Sequence, residues 1–254
     1  MADETGTVTD KTGVSHGSHG WRGARFGVDA PYVPAILGAV GAIAVVIGAL
    51  LSAVGWLIVV GALFLLQAVV YLHTTLRGKF RVWEKLLEQL GLDGGEQVLD
   101  LGCGRGAVLL AAARRLPDGM AHGIDLWRSG DQSGNHEEVT RHNAQAEGVG
   151  DRVRLHTADM RDLPFSDGSI DVVVSSLAIH NLRSDAERDA ALDEVIRVLR
   201  PGGSLMIADI RYVRRYARHL SQAGLTGVQA RGLGPEGWFG GPWQATSVVT
   251  ASKP

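Results

Sequence analysis

The residues with the clearest chemical pattern lie in the stretch VLDLGCGRG, residues 98–106. A strand-like apolar run leads into a loop where Gly102, Gly104 and Gly106 alternate with other residues, and Asp100 precedes the first of them by two positions. Glycines between a strand and a helix let the backbone approach a nucleotide. A carboxylate here would repel a pyrophosphate, but it suits a ligand with an ammonium or sulfonium group. The loop therefore predicts a cationic ligand without phosphate, and an ordinary glycine-rich turn is the alternative.

Strand and helix patterns alternate along the rest of the chain, which predicts a doubly wound α/β sheet with helices on both faces. Ser184 and Glu187 have the spacing of a capping box at a helix start. The runs 228–233 and 245–251 are joined by so short a connection that they predict an antiparallel hairpin. The other strands are predicted at 97–101, 121–126, 153–157, 170–175 and 204–209, and helices at 80–91, 105–116, 185–199 and 211–223.

A long uncharged segment precedes this region, since no Asp, Glu, Lys or Arg occurs between Asp29 and Arg77. One helix through it would be about 70 Å long, roughly twice the thickness of a bilayer core. Two transmembrane helices fit instead, at 33–51 and 55–72. Small residues four positions apart, such as those at 35 and 39, predict close contact between these helices. A buried hairpin of a soluble protein is the alternative, whereas the segment is too long and begins too late for a signal peptide.

Basic residues flank the uncharged segment on both sides, which places both termini in the cytoplasm by the positive-inside rule. The chain is thus predicted to have a flexible tail at 1–28, a transmembrane hairpin at 29–76 and a cytoplasmic domain at 77–254, located at the cell membrane. The flanking residues are Arg22, Arg25, Arg77, Lys79, Arg81 and Lys85.

Composition excludes several other classes of function. The net charge of −2 gives no general footprint for nucleic-acid binding. The single cysteine, Cys103, excludes an internal disulfide and a cysteine-based zinc site. His16 and His19 in the tail lack further ligating partners, so no metal is predicted.

Four motifs together resemble those of class I S-adenosylmethionine (SAM)-dependent methyltransferases, most closely the branch of quinone and small-molecule methyltransferases. The resemblance covers residues 80–254 and implies SAM as cofactor and a seven-stranded sheet whose last strand is inserted antiparallel. The motifs are VLDLGCGRG, HGIDLW, TADMRDLPFSDGSIDVVVSS and VIRVLRPGGSLMIAD.

The same resemblance implies roles for individual residues. Asp100 and the glycine loop hold the methionine end of SAM, Asp125 accepts hydrogen bonds from the ribose hydroxyls, and Asp159 accepts one from the adenine amino group beside Met160. Asp159 has a turn cap as its alternative role. The full set of predicted cofactor-binding residues is Asp100, Gly102, Cys103, Gly104, Gly106, Asp125, Leu126, Trp127, Asp159, Met160 and Ser175.

His180 follows the fourth predicted strand and is the candidate catalytic residue. Its side chain titrates near neutral pH, which suits a general base. Methyl transfer from a sulfonium is an in-line displacement that mainly needs alignment, so a base is required only for a weakly acidic nucleophile. Packing at a helix start is the alternative role of His180. The residues Asp131, Gln132, Ser133 and Asn135 are further candidates for lining the mouth of the site.

The predicted function is methyl transfer from SAM to a small-molecule or lipid-like acceptor at the cytoplasmic membrane face. A membrane-tethered, non-catalytic SAM-binding sensor or scaffold is the alternative. Nucleic acid is not expected as a substrate, because SSLA stands after the fourth strand where an amide motif for exocyclic amines would lie. Membrane lipids are predicted partners of a basic helix that carries Arg211, Arg214, Arg215 and Arg218, with pairing to nearby acids as the alternative.

Overall fold

The computed structural model describes residues 26–128 and 134–254. The predicted tail up to residue 25, with His16 and His19, lies outside the described residues. So do Asp131, Gln132 and Ser133.

Two apolar helices form a hairpin at the start of the described chain. They are α1, Tyr32–Leu50, and α2, Leu57–His73, joined by a short 3₁₀ turn at Ser52–Val54. Both are long and apolar enough to cross a membrane, and only 17% of the most apolar window of α1 is buried within the protein. The two predicted helices are therefore present, while their insertion in a bilayer stays a prediction.

The contact between α1 and α2 runs through glycines. A Cβ atom at Gly61 would lie 2.5 Å from the carbonyl oxygen of Gly41, and one at Gly48 would lie 2.9 Å from a backbone nitrogen of α2. Gly41 and Gly48 are seven residues apart, whereas Ala35 and Ala39 of the predicted four-residue pattern are exposed. Gly48, which belongs to the predicted pair Ala44 and Gly48, does lie at the contact. The exposed pair Ala35 and Ala39 was wrong, because helices that pack along their length keep contact with a period close to 3.5 residues.

No loop separates the hairpin from the following domain. A π-helical segment, Thr74–Gly78, joins α2 to α3, Lys79–Leu90, and the whole stretch forms one helix of 34 residues. The predicted domain boundary at residue 76 falls inside this helix. Its domain end buries an apolar face that includes Trp83 and Leu86.

The domain contains a seven-stranded sheet in the order β3-β2-β1-β4-β5-β7-β6. The first five strands are parallel, and β7 is antiparallel to both β5 and β6. This confirms the predicted α/β sheet with one inserted antiparallel strand. The strands are β1 Gln97–Leu101, β2 Met120–Asp125, β3 Val153–Thr157, β4 Ile170–Ser176, β5 Leu199–Asp209, β6 Thr226–Gly232 and β7 Ser247–Ser252.

β5 begins earlier than the predicted residue 204, at Leu199. The Gly202 amide donates to the Lys253 carbonyl (2.8 Å), and the Lys253 amide donates to the Gly203 carbonyl (2.9 Å). The RPGG stretch therefore continues the strand, because the chain after β7 pairs with it. A distant segment supplies these partners, so local turn propensity did not decide the boundary.

Helices cover both faces of the sheet. Val98 belongs to an apolar core with residues of α3 and α4, whereas Leu99 belongs to a second core with residues of α6 and α7. Neighbouring strand residues point to opposite faces, which explains the two cores. The capping box of Ser184 and Glu187 is present at the start of α6. These helices are α4 Ala107–Ala113, α5 Glu137–Ala146, α6 Asp185–Val198 and α7 Val213–Gln222.

Candidate active site

A cavity of about 740 Å³ opens at the carboxyl ends of the parallel strands. Open α/β sheets bind ligands at this edge, and the volume is typical of small-molecule sites. The loops after β1, β2, β3, β4 and β5 line the cavity, together with the start of α3 and the residues that precede and begin α1.

Most of the predicted site residues meet in this cavity. Its lining also includes Asn135, which was a candidate for the mouth of the site. Gly106, Trp127 and Ser175 are not among the lining residues. The predicted residues that do line it are Asp100, Gly102, Cys103, Gly104, Asp125, Leu126, Asp159, Met160 and His180.

The glycine loop has the conformation that its sequence suggested. Gly102 and Gly106 have φ angles of +69° and +87°, which side chains disfavour. A Cβ atom on Gly102 would lie 2.2 Å from the Cβ atom of Ala178. Gly106 precedes α4, and a Cβ there would lie 3.0 Å from Thr140 Cγ2 of α5. Gly106 thus allows helix packing, and its contact with a ligand stays a prediction.

Asp100 is buried at the wall of the cavity, with 1% of its surface exposed. Burial raises the pKa of its carboxyl well above the ordinary value, and the nearby charge of Asp125 raises it further against a backbone hydrogen bond from Leu109. Its Oδ1 atom has no hydrogen-bond partner among the described residues. A buried carboxylate with a free acceptor is costly unless a cation or donor pairs with it. The ammonium group of SAM fits this requirement.

Asp125 organises the glycine loop as well as lining the cavity. Its Oδ2 accepts a hydrogen bond from the Gly104 amide (2.9 Å), and its Oδ1 accepts from the Trp127 amide (2.6 Å) and from Asn135 Nδ2 (3.2 Å). A carboxylate can accept about four hydrogen bonds, which leaves capacity for a ligand hydroxyl. The arrangement fits the predicted contact to the ribose.

Trp127 lies at the edge of the site but not against the cavity. Its backbone has a φ angle of +55°, and its indole Nε1 donates to Thr157 Oγ1 at 2.7 Å. The indole packs against the apolar core on that side of the sheet. The bond to β3 directs the ring away from the cavity in this conformation, and the assignment of Trp127 to the cofactor site stays a prediction.

Asp159 forms the turn cap that its sequence position allowed and also lines the cavity. Its Oδ1 accepts from the backbone amide of Arg161 (2.9 Å), as a turn cap does, and the Arg161 guanidinium donates to both carboxylate oxygens. These hydrogen bonds hold the pKa of Asp159 below its ordinary value. Asp159 and Met160 both line the cavity, so contact with adenine stays compatible with the turn cap.

Ser175 faces the interior of the sheet rather than the cavity. Its hydroxyl is buried and donates to the Leu101 carbonyl at 3.0 Å. Ser176 lines the cavity instead, and its Oγ accepts from Trp83 Nε1 at 2.9 Å. The prediction was displaced by one residue, and a shift of one residue along a strand exchanges its faces.

His180 is held by a buried acid that sequence reasoning did not select. Its Nδ1 lies 2.7 Å from Asp209 Oδ1, and its backbone amide donates to Asp209 Oδ2 at 3.1 Å. The amide of Ile210 and the hydroxyl of Tyr216 also donate to Asp209. Burial and the nearby Asp209 raise the pKa of Tyr216, which keeps its hydroxyl protonated.

Nδ1 lies close to Asp209 Oδ1 without hydrogen-bond geometry, so this contact does not fix the tautomer of the ring. His180 lines the cavity, and a carboxylate so close to an imidazole suits a general base. Asp209 ends β5 in the motif MIAD. An acid at the carboxyl end of a parallel strand is the sequence signal that could have identified this position.

Comparison with known proteins places these features in a family context. Residues 98–203 match the family model described as a methyltransferase domain. Methyltransferase GfsG of Streptomyces halstedii is 38% identical over 130 residues, which cover 51% of this chain and 43% of that protein. The ubiquinone/menaquinone biosynthesis C-methyltransferase UbiE of Roseobacter denitrificans is 34% identical over 133 residues, covering 52% of this chain and 50% of the relative. The chain spans about half the length of these relatives.

Solved structures share the fold at lower sequence identity. Geranyl diphosphate methyltransferase in complex with SAM has a TM-score of 0.55 at 20% identity, covering 69% of this chain and 85% of that one. The [4+2]-cyclase SpnF has a TM-score of 0.56 at 21% identity, covering 69% and 81%. The names of these two proteins describe different reactions, so the fold alone does not decide the chemistry.

Proposed function

We propose that this chain, whose residues 98–203 match the methyltransferase-domain family model, transfers a methyl group from SAM to an amphipathic small molecule or lipid at the cytoplasmic face of a membrane. One observation carries the proposal. A single cavity joins the residues that fit SAM to His180 and to the ends of two apolar helices. Relatives named for ubiquinone and menaquinone biosynthesis support an acceptor of this kind.

Each end of SAM has a matching group in the cavity. Asp100 binds the ammonium group, Asp125 accepts a hydrogen bond from the ribose, and the Asp159–Met160 segment lies at the adenine. SAM supplies an electrophilic methyl group on its sulfonium. Gly102 lines the cavity, and the absence of a side chain there lets the loop pack against Ala178.

His180 and Asp209 suit a hydroxyl acceptor. As the acceptor oxygen attacks the methyl carbon, the carbon–sulfur bond breaks and the hydroxyl proton passes to His180 Nε2. Asp209 stabilises the resulting imidazolium through the 2.7 Å contact to Nδ1. The products are a methyl ether, S-adenosylhomocysteine and a proton released when His180 loses it to solvent.

The space beyond the SAM residues supports catalysis over a sensor or scaffold. A protein that only binds SAM needs no room beside the sulfonium, whereas this cavity continues past His180 to Trp83 and Phe239. These aromatic side chains suit an apolar acceptor.

The membrane location rests on the hairpin and on its basic flanks. Both helices have sufficient length and apolarity, and the flanking cations favour cytoplasmic ends. On α7, Arg215 pairs with Asp185 (3.1 Å) and Asp189 (2.5 Å). For Arg215 the alternative to lipid binding, pairing with nearby acids, therefore applies. Arg214 and the other two arginines of that group are exposed, and attraction of an anionic leaflet depends on these three.

The test uses full-length protein in lipid nanodiscs with SAM labelled on its methyl group. Lipid extracts and aqueous extracts of cells are offered separately as sources of acceptor. We expect label to appear in a product from the lipid extract, and the His180→Gln variant to lose this transfer while it keeps SAM binding. Bound SAM with no transfer from either extract would favour the sensor, and transfer only to the aqueous extract would contradict a lipid-like acceptor.

A further inference from the structure

We propose that the cytoplasmic end of the hairpin is itself one wall of the acceptor site, an inference that rests on the proposed function. The wall consists of Ala30, Tyr32 and Val33 before and within the first turn of α1, with Tyr71 of α2 and Phe239 of the β6–β7 loop. All five residues line the same cavity as His180. The hairpin would then contribute to acceptor binding as well as anchoring the chain.

The segment that leads into α1 is fixed to the domain. Phe26 is fully buried, and its ring centroid lies 5.5 Å from that of Phe80 in the core. Asp29 pairs with Lys79 Nζ at 2.8 Å and accepts a hydrogen bond from Thr75 Oγ1 at 2.8 Å. Because these contacts join it to both the core and the α2–α3 junction, α1 begins at a defined place beside the cavity.

The β6–β7 loop holds the hairpin from the other side. Thr74 Oγ1 donates to the Trp238 carbonyl at 2.6 Å, and the Phe239 ring packs edge-on against Tyr71 with centroids 5.2 Å apart. A Cβ atom on Gly78 would lie 2.2 Å from the Glu236 carbonyl oxygen, so the loop contacts the helix backbone directly. The hairpin therefore packs directly against the domain and is not connected to it by a flexible linker alone.

The wall suits an apolar group. Its aromatic and aliphatic side chains line the cavity that His180 also lines. Lys79 lines the cavity beside them, and its pairing with Asp29 at 2.8 Å neutralises its charge. An acceptor head group that reaches His180 would therefore leave the attached chain beside Val33 and Phe239.

The outer surface of α1 continues this apolar path. Tyr32, Ile36, Val40 and Ile43 share one helix face at spacings of three and four residues, and all four are exposed. A chain that leaves the cavity past Tyr32 meets this face next. We therefore assign the wall to a molecule with an ionisable hydroxyl head and a long apolar chain that extends towards the bilayer.

Deletion of the hairpin would not test this assignment. It removes Phe26 from the core and Asp29 from Lys79, so any loss of activity would include loss of packing. Point substitutions in the full-length chain separate the two effects. Val33→Trp fills the cavity from the wall, and Ile36→Trp is the matched control on the same helix, outside the cavity lining. Tyr32→Ala opens the wall with little risk to folding because Tyr32 is 60% exposed.

The probe is a 4-hexadecylphenol with a diazirine on the chain next to the ring, used in phosphatidylcholine nanodiscs. We expect saturable photolabelling of residues 30–33 and of Phe239 in the unaltered protein. Val33→Trp should lower this labelling by about tenfold, as filling a packed site does, and Ile36→Trp should leave it unchanged. Tyr32→Ala should shift the labelling away from residues 30–33. Calorimetry should show unchanged SAM affinity in all three variants.

Equal labelling of the Val33→Trp and Ile36→Trp proteins would overturn the assignment, as would labelling confined to the lipid-facing side of α1. The proposed reaction has a separate readout, transfer of labelled methyl from SAM to the phenol. Labelling of the wall without methyl transfer would refute the hydroxyl chemistry and still support the wall as a binding site.

Discussion

Replacing Asp100 with Asn tests the proposed cation site by changing one charge at nearly constant volume. Asp100 Oδ1 lacks a partner among the described residues and lines the cavity. A hydrogen bond to a charged group contributes about 1.5–3 kcal/mol, so loss of the carboxylate should weaken SAM by about 10- to 150-fold. Methylthioadenosine shares the nucleoside and the sulfur but has no amino acid, and its affinity should not change.

The same substitution should stabilise the protein without cofactor. Burial raises the pKa of Asp100 in the folded state above its unfolded value of about 3.9. Between these two pKa values the folded state holds more protons than the unfolded state, so stability falls as pH rises. Because Asn carries no charge, the Asp100→Asn protein lacks this contribution to the decrease in stability with rising pH. At pH values above the unfolded pKa of Asp100, the Asp100→Asn protein should therefore have a higher Tm than the unaltered protein. A loss of SAM affinity near neutral pH then cannot be attributed to unfolding.

Calorimetry with both ligands and thermal unfolding from acidic to neutral pH are the two measurements. Asp118→Asn is the matched control, since Asp118 is exposed and lies away from the cavity. Equal losses of affinity for SAM and methylthioadenosine would show that Asp100 supports the loop only. An Asp100→Asn protein that is less stable than the unaltered protein at neutral pH would refute the account of the buried charge.

Three further substitutions give separate outcomes. Asp125→Ala should weaken SAM and methylthioadenosine alike, by about 1–3 kcal/mol, because both carry the ribose; unchanged calorimetric affinity in the folded variant would contradict its role. Gly102→Ala should abolish the thermal shift caused by SAM, since the new Cβ meets Ala178 at 2.2 Å, and adding Ala178→Gly should restore part of it. Asp209→Asn should lower turnover of a hydroxyl acceptor by at least about 100-fold with SAM affinity kept, and combining it with His180→Gln should cost little more, whereas additive losses would separate the two residues.

Local patterns in the sequence were sufficient for the architecture. The alternation of strands and helices, the capping box at Ser184 and the uncharged segment after Asp29 depend on neighbouring residues, and the structure contains the corresponding elements. The motif around Asp100 likewise predicted an acid beside a glycine loop, because the backbone of such a turn is determined over a few residues. Secondary structure and the cofactor loop were therefore readable before any tertiary contact was known.

Tertiary structure decided the contacts between segments that lie far apart in the chain. Only packing placed Asp209 against His180, turned Trp127 towards Thr157 and inserted Phe26 into the core beside α3. Tertiary structure also decided which side chain at the end of β4 reaches the cavity. Ser175 and Ser176 are adjacent, and the neighbouring strands determine which of them lines it. The position of the hairpin against the cavity belongs to this second group, because a hydrogen bond and a ring contact from the β6–β7 loop hold it there.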